Sequence, residues 1–334
     1  MKRRAWFDPR PKEFQRVLTE EEEDKMVFFF LKEVQFANRE EDTIWQKHLF
    51  FKYPDYKEDN DYLERLVKVL FKRLLKGLSD AAADAAGPFM IAGTLGQSKS
   101  EIWLIARALR ITGSDAKKIL RMTPDGFIKF LRSKLWGLDG FTSKFTAYGT
   151  RMEPKARKAY LAYRKKIDNT VEVEETGLWS NTKHPQIAGS FDAVVKSRNL
   201  PTRLAEFKCP ETIKLGNPKE FEKCLTKEQI QRFCLMRDEN GKVKLKPKHA
   251  YWYQIQLYMG IFEVQECDFV VWSPKDIHVE TITFDKEEFD IVATDLKRIH
   301  RELLVPEYFL CRAPRNLPPV KLTYKVAEKR EMPD

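Results

Sequence analysis

Two short apolar segments with charged residues at fixed positions constrain the fold of this chain most strongly. Residues 191–195 and 204–208 are typical of β-strands, and a turn that contains Ser, Asn and Pro separates them, which predicts a hairpin. Residues two apart on a strand share a face, so Glu206 and Lys208 point the same way while the residue between them points into the core. Pairing of the two strands then brings Asp192 beside Glu206.

Helical patterns surround this hairpin. Apolar spacing and capping residues predict helices over 101–109, 115–120, 151–166 and 251–262, a turn at 111–114, a strand at 268–272, and Ser114 or Asp115 as the N-cap of the second helix. Because helices and strands alternate after residue 100, we predict an α/β (or α+β) fold with a mixed central sheet flanked by helices.

The first 90 residues are predicted to form a separate region. Residues 61–76 place apolar side chains on one face with basic residues between them, so we predict a helical N-terminal region over 1–90, of unknown role. Residues 79–96 are rich in Ala and Gly and are predicted to be a linker. The main domain is predicted over 97–315, and a C-terminal tail over 316–334.

Composition narrows the classes of protein to consider. The chain has 60 Lys and Arg against 50 Asp and Glu, a net charge of +10, which suits a polyanion-binding surface but is also found in mildly basic proteins of other classes. Its five cysteines contain no CxxC pair, which argues against a disulfide framework or structural zinc. The apolar runs near the start are too short for a membrane span or a secretory signal. We therefore expect an intracellular protein, nuclear or cytoplasmic, with no membrane partner.

The charged residues of the hairpin suit metal-assisted chemistry. Asp192 and Glu206 would repel each other, and a hard divalent cation relieves that repulsion through oxygen ligands. Such a cation binds phosphodiester oxygens and lowers the pKa of water, while Lys208 supplies a fixed positive charge beside the reacting group. The alternative is structural: Asp192 ends a strand, and Glu206 and Lys208 form a solvated ion pair on an exposed sheet face.

At these residues the sequence resembles a known family. Residues 188–193 (AGSFDA) and 204–212 (LAEFKCPET) are similar to the core of the phage lambda exonuclease / YqaJ viral recombinase family, which belongs to the PD-(D/E)xK nuclease superfamily. Residues 103–114, 148–157 and 251–259 resemble three further blocks of that family in the same order. The resemblance covers roughly residues 97–300 and implies a restriction-endonuclease-like core with an N-terminal helical extension.

The resemblance also implies roles for individual residues. Asp192, Glu206, the Phe207 carbonyl and Glu153 would bind Mg²⁺ or Mn²⁺, Lys208 and Gln254 would position and activate the nucleophile, and Arg107, Ser114 and Ser190 would bind a 5′-terminal phosphate. The phosphate-binding set is also reasonable on physical grounds, because a guanidinium and hydroxyls beside a helix N-terminus make an anion site.

Each of these residues has a structural alternative. Glu153 is surrounded by basic residues on its helix and fits a surface salt bridge; Gln254 fits an ordinary half-buried helix. Arg107 fits a pair with Glu101, and Ser114 fits a simple cap. The order of the blocks around the central motif favours the functional roles of Glu153 and Gln254.

The sequence also departs from the family pattern. Phe191 replaces the proline that precedes the catalytic aspartate. Residues 216–248 are longer than a compact core needs, and between Lys196 and Lys248 there are 14 basic against 7 acidic residues. We predict an insertion or extended loop there, which either follows a DNA backbone or is a solvated, partly disordered loop. His184 and His249 lack metal-ligand spacing and are predicted to be structural or exposed.

The implied function is a Mg²⁺- or Mn²⁺-dependent DNA exonuclease. It would digest one strand of duplex DNA from a 5′-phosphate in the 5′→3′ direction, during recombination or end processing. A single-strand-annealing or recombinase partner, and a homotrimer as in some family members, are also implied. Three alternatives stay open: an endonuclease of the same superfamily, a nuclease fold that binds DNA or protein without cutting, and a helical N-terminus that is the functional part and binds a recombinase or annealing partner while the nuclease domain trims ends.

Overall fold

A computed structural model describes residues 86–136 and 144–305, together with residues 307 and 313. Most of the N-terminal region predicted over 1–90, and the tail predicted over 316–334, lie outside these residues. Within the described ranges, none of the helices has the length and apolar character needed to cross a membrane.

The strands and helices follow one another in mixed order along the chain. The strands are β1 (Pro88–Met90), β2 (Ile111–Thr112), β3 (Glu172–Glu174), β4 (Trp179–Asn181), β5 (Ile187–Gly189), β6 (Ala193–Lys196), β7 (Arg203–Lys208), β8 (Leu235–Arg237), β9 (Val243–Leu245), β10 (Glu266–Trp272) and β11 (Ile277–Thr283). The α-helices are α1 (Glu101–Ala108), α2 (Ala116–Leu120), α3 (Pro124–Trp136), α4 (Lys144–Lys165), α5 (Lys227–Arg232), α6 (Ala250–Phe262) and α7 (Lys286–Ile299).

The central sheet has five strands in the order β11-β10-β7-β6-β3. Strands β6 and β7 pair antiparallel with Ala193 opposite Ala205, so the predicted hairpin is confirmed. Strand β10 pairs parallel to β7 and antiparallel to β11. The chain between β7 and β10 contains α6, as a crossover between parallel strands requires. The predicted fold class, a mixed sheet flanked by helices, is confirmed.

Both faces of the central sheet are covered. Val194, Leu204 and Phe269 pack in one apolar cluster with Ile255 and Met259 of α6. On the opposite face, Val195, Phe207 and Val270 pack in a second cluster with Ala156 and Tyr160 of α4. Side chains alternate between the faces of a strand, so Glu206 shares the α6 face with Leu204, and Phe207 lies in the core as predicted.

A second sheet has four strands in the order β1-β4-β5-β2. Strand β1 falls inside the segment predicted as a linker, and that prediction is wrong for these three residues. Phe89 is buried there and lies opposite Ser180 in the antiparallel β1–β4 pair. A strand of only three residues within an Ala- and Gly-rich segment could not be identified from the sequence.

Residues 216–248 are folded, which corrects the prediction of an extended loop. They form a 3₁₀ turn at Pro218–Lys223, helix α5 and the β8–β9 hairpin. Phe221, Phe233 and Leu235 are buried in the cluster on the α6 face. The sequence did not indicate this buried cluster, because the apolar side chains that become buried are scattered among the basic residues of the segment.

Three of the four predicted helices begin within one residue of the predicted position, but α4 begins at Lys144, seven residues before the predicted start at 151. The predicted cap of α2 needs a further correction. Asp115 occupies the N-cap position of α2, but its side chain makes no capping hydrogen bond because Oδ2 accepts from the Thr112 hydroxyl at 2.7 Å. Helix α6 begins after His249, whose Nδ1 accepts from the Tyr251 amide. His249 is therefore structural, as predicted.

The described residues form two compact units. One comprises the described parts of 82–122 and 140–297, including both sheets. The other includes α3 and the turn His300–Leu304, and in it Arg132 donates to the Ala313 carbonyl at 3.0 Å.

Candidate active site

Glu206 lies at the centre of the candidate site. It sits in the middle of the central sheet and is 1% exposed. Its Oε1 accepts hydrogen bonds from Lys208 Nζ at 2.5 Å and from Gln254 Nε2 at 2.7 Å. Its Oε2 is buried and has no hydrogen-bond partner within the described residues. Glu206 and Lys208 are thus an ion pair in the protein interior, which contradicts the alternative of a solvated pair on an exposed face.

Asp192 stands at the start of β6 and faces the neighbouring strand. Its Oδ2 accepts from the Phe207 amide at 2.6 Å, so the aspartate is bonded directly to the strand that carries Glu206 and Lys208. The strand pairing of Ala193 with Ala205 sets this position. The predicted approach of Asp192 to the Glu206 strand is confirmed.

Glu153 of α4 faces the same region as Asp192. Its Oε1 accepts from Arg157 at 2.9 Å, so the helix salt bridge considered for this residue does form. Arg157 also bonds Glu175. Glu153 nevertheless lines a cavity of about 480 Å³ together with Asp192, Phe207 and Lys208, so the salt bridge and a role in the site are compatible.

The electrostatics of the three carboxyls reflect burial and mutual repulsion. Burial, and then the charge of Asp192, raise the pKa of Glu206 to about 8 although Lys208 opposes the shift. The same two causes raise the pKa of Glu153 to about 7, against the opposing charge of Arg157. Burial also raises the pKa of Asp192, with Lys208 opposing. Removal from water disfavours the charged form of each group.

Lys208 is held by two contacts. Besides the bond to Glu206, its ammonium lies 4.5 Å from the centre of the Tyr251 ring, a cation–π arrangement. Burial lowers the pKa of Lys208, but the charges of Glu206, Tyr251 and Asp192, with the hydrogen bond to Glu206, together raise it well above its ordinary value. Lys208 therefore carries a fixed positive charge at the cavity wall.

The oxygen atoms of the candidate site are of the chemical type that binds a hard divalent cation. Among the described residues, no three His, Cys, Asp or Glu side chains are gathered as a finished metal site, because Asp192, Glu206 and Glu153 are turned towards protein donors. However, Oε2 of Glu206 has no partner, and an added cation would relieve the repulsion that raises the pKa values of Glu206 and Glu153. Carboxylate and carbonyl oxygens are the ligands that Mg²⁺ and Mn²⁺ prefer.

The three residues predicted to bind a terminal phosphate are brought together by Trp103. Arg107 donates to the Ser114 hydroxyl at 2.8 Å, and its guanidinium lies 4.7 Å from the Trp103 ring centre. The Trp103 indole donates to the Ser190 hydroxyl at 3.1 Å. Ser114 is exposed, so a guanidinium and two hydroxyls are linked in one polar cluster that reaches the surface.

The segments that carry this polar cluster pack on Tyr258, which contacts the candidate catalytic centre. A side chain at Gly113 would lie 2.6 Å from the Tyr258 ring, and one at Gly189 would lie 2.7 Å from it. The Tyr258 hydroxyl in turn accepts from Gln254 Nε2 at 2.7 Å. The backbones beside Ser114 and Ser190 therefore pack on the residue that holds Gln254.

Four residues of this arrangement have no role predicted from the sequence. Trp103 contacts Arg107, and Arg157 contacts Glu153. Tyr251 contacts Lys208, and Tyr258 contacts Gln254. These contacts orient the four site residues. Trp103 and Tyr251 lie inside the family-like blocks, and Arg157 lies four residues after Glu153. These positions are the sequence signal by which the residues could have been found, but the contacts themselves depend on tertiary structure.

The candidate site lies within a segment that matches a known protein family. The sequence profile of the YqaJ-like viral recombinase domain matches residues 102–265. That segment contains every residue assigned to the candidate site: Arg107, Ser114, Glu153, Ser190, Asp192, Glu206, Phe207, Lys208 and Gln254. No curated protein sequence matches the chain.

Solved structures show weaker similarities. The alkaline exonuclease LHK-Exo from Laribacter hongkongensis is 22% identical, with 65% of this chain and 100% of that chain covered and a TM-score of 0.43. A phage-related exonuclease from Haemophilus somnus 129PT is 16% identical, with coverages of 60% and 93% and a TM-score of 0.35. A SOX–DNA complex is 11% identical, with coverages of 91% and 86% and a TM-score of 0.37. The profile match shows that residues 102–265 are similar to the YqaJ-like viral recombinase domain, and the Asp…Glu-x-Lys strands lie within that segment.

Proposed function

We propose that this protein is a metal-dependent deoxyribonuclease that hydrolyses phosphodiester bonds at DNA ends. The observation that carries the proposal is the buried cluster in which Lys208 and Gln254 both donate to one oxygen of Glu206, beside a cavity that Asp192 and Glu153 line. Buried groups with opposed charges and raised carboxyl pKa values are typical of catalytic sites. The similarity of residues 102–265 to the YqaJ-like viral recombinase domain supports DNA as the substrate.

The cofactor in this proposal is Mg²⁺ or Mn²⁺. Asp192, Glu206 and the Phe207 carbonyl would hold the ion, and Glu153 would bind a second ion or orient its water. When bound, such an ion polarises phosphate oxygens and lowers the pKa of water. Binding requires the deprotonated carboxylates, so it competes with the protons that the raised pKa values retain.

The remaining chemistry belongs to Lys208 and Gln254. The Lys208 ammonium faces the cavity and would stabilise negative charge that develops on the phosphate in the transition state. The Gln254 amide would orient the attacking water, because its own position is fixed by hydrogen bonds to Glu206 and Tyr258. Positioned groups of this kind lower the barrier by holding reactants in a productive geometry.

The polar cluster of Arg107, Ser114 and Ser190 supports a preference for DNA ends. A guanidinium and hydroxyls bind a dianionic terminal phosphate through charge-assisted hydrogen bonds, and a 5′-hydroxyl end would lack them. We therefore propose 5′→3′ digestion of duplex DNA from a 5′-phosphate, in recombination or end processing. A homotrimer and a single-strand-annealing or recombinase partner belong to the same proposal, supported by family resemblance alone.

The test compares substrates that differ only in their ends. Purified protein with Mg²⁺ or Mn²⁺ would be given linear duplex DNA with 5′-phosphate or 5′-hydroxyl ends, and a closed circular duplex. The Lys208→Ala variant is the catalytic test. Lys223→Ala is its matched control, because Lys223 forms an exposed salt bridge with Glu220.

Loss of phosphorylated linear DNA, abolished in Lys208→Ala and unchanged in Lys223→Ala, would support the proposal. Cutting of the closed circle would identify an endonuclease instead. Binding of DNA without cleavage under any divalent-ion condition would favour a binding module and refute the nuclease assignment.

A further inference from the structure

Seven basic residues of the folded segment 214–248 fall into two groups, and Lys227, Arg232 and Lys242 belong to neither. The first group is paired with carboxylates: Lys214 with Glu211, Lys219 with Asp276, Lys223 with Glu220, Arg237 with Glu222 and Lys244 with Asp238. The charges of these residues are largely compensated within the protein. Such pairs are typical of a solvated surface.

The second group consists of Lys246 and Lys248, and with Lys117 of α2 they form what we call the lysine patch. The Lys117 ammonium donates to the Lys248 carbonyl at 2.7 Å, and the backbone of Lys248 is left-handed, with φ 53°. Lys246 Nζ donates at 2.8 Å to the carbonyls of Ile230 and Gln231. In the part of the chain that the structure describes, no carboxylate forms an ion pair with a lysine of the patch. Neutral carbonyls orient an ammonium without cancelling its charge.

Positive charge is concentrated around the patch. Its centre is His249, and the charges of Lys117, Lys246 and Lys208 add to burial in lowering the pKa of His249 to about 4. Arg121, four residues after Lys117, adds to burial in lowering the pKa of Lys117. Uncompensated charges of one sign raise the local potential and attract anions.

The lysine patch is continuous with the candidate active site. The His249 and Tyr251 rings are in contact, with centroids 4.8 Å apart, and the Lys208 ammonium lies 4.5 Å from the centre of the Tyr251 ring. Lys117 lies on α2, directly after the turn that carries Ser114. The patch is therefore linked to Lys208 through two aromatic rings and to Ser114 along the chain.

We propose that the lysine patch binds backbone phosphates of substrate DNA, separately from the scissile and terminal phosphates. This inference rests on the proposed function, because it takes DNA as the ligand. Ammonium groups act on phosphate as point charges, so the patch would bind without regard to base sequence. It would hold the strand while successive nucleotides pass Lys208.

The experiment measures how DNA binding depends on salt. Anisotropy of a fluorescent 5′-phosphorylated duplex would be recorded in EDTA at several salt concentrations, for wild type and for Lys117→Gln/Lys246→Gln. The control is Lys219→Gln/Lys223→Gln, which removes two carboxylate-paired lysines. Because Lys246 binds carbonyls at the end of α5, Lys117→Gln/Lys248→Gln is a second test variant. Thermal melts would establish that each variant is folded.

We expect the slope of log affinity against log salt to become shallower by about 0.9 for each phosphate that a variant no longer binds, in both patch variants and not in the control. An unaltered slope in a folded patch variant, or an equal change in the control, would overturn the proposal while leaving DNA binding established. Failure of the wild type to bind DNA would overturn the proposed function as well.

Discussion

Gln254 donates a hydrogen bond of 2.7 Å from its side-chain amide to Oε1 of Glu206. The two residues are 48 positions apart in the chain, one on α6 and the other in the middle of the central sheet. The same amide nitrogen donates to the Tyr258 hydroxyl. Gln254 is 7% exposed, so its orientation is fixed by buried polar contacts rather than by solvent.

Removal of the Gln254 amide should slow catalysis without weakening DNA binding. We expect Gln254→Ala to lower kcat by about 100-fold, the lower end of what one positioned polar group supplies. Tyr258→Phe keeps the ring and removes only one hydrogen-bond partner, so it should cost about 1 kcal/mol of folding free energy and slow cleavage less. Single-turnover rates and anisotropy measure the two effects, and a Gln254→Ala enzyme of normal kcat would contradict the role assigned to this residue.

Loss of the Arg107 guanidinium should remove discrimination between 5′-phosphate and 5′-hydroxyl ends. A hydrogen bond to a charged group contributes about 1.5–3 kcal/mol, so Arg107→Ala should reduce the preference for phosphorylated ends by about 10- to 100-fold. Trp103→Phe keeps the aromatic face beside Arg107 and removes the bond to Ser190, so its effect should be smaller. Competition between the two end types measures the preference. Arg232→Ala, at an exposed position, is the control and should behave like the wild type.

A side chain at Gly189 should destabilise the protein through Tyr258. An added Cβ would lie 2.7 Å from the Tyr258 ring, and that ring is buried and cannot move without breaking its bond to Gln254. Overpacking of this kind typically costs about 1–3 kcal/mol. We expect Gly189→Ala to lower the midpoint of urea unfolding accordingly. Gly149→Ala is the matched control, since its Cβ would meet only the Cys209 carbonyl at 3.9 Å; an equal loss in both variants would refute the steric explanation.

Stability of the metal-free protein should fall as pH rises from about 4.5 to about 8. The folded-state pKa of Glu206 is about 8 and that of Glu153 about 7, both above the ordinary value of 4.5. The folded protein therefore binds more protons than the unfolded chain within this window, and stability is lost as these protons dissociate. Burial is the main cause of both shifts, so Glu206→Gln, which stays neutral, should make the decline shallower.

Melting temperatures in EDTA across this pH range test the expectation. Mg²⁺ added at pH 8 should raise the melting temperature of the wild type more than that of Glu206→Gln, because a ligand that binds the folded state stabilises it. A wild-type melting temperature that rises steadily towards pH 8 in EDTA would contradict the assigned pKa shifts.

The sequence by itself determined the secondary-structure elements that carry the candidate site and the chemical types of its side chains. Alternation of apolar residues placed Asp192, Glu206 and Lys208 on a hairpin because side-chain direction on a strand has a period of two. Helical periodicity placed Glu153 and Gln254 on helices, although the short strand β1 and the folded segment 216–248 were missed. Their apolar residues are too few, or too widely separated, to give a periodic signal.

Only the tertiary structure decided which of these residues meet. The parallel pairing of β7 with β10 and the crossover through α6 bring Gln254 to Glu206. The packing of β5 and of the turn before α2 on Tyr258 brings the segments that carry Ser190 and Ser114 towards the same centre. The raised pKa values of Glu206 and Glu153, and the ring of Tyr251 beside Lys208, likewise depend on burial and on neighbours distant in sequence. Local sequence fixes side-chain direction, but contacts and desolvation arise only when separate segments pack together.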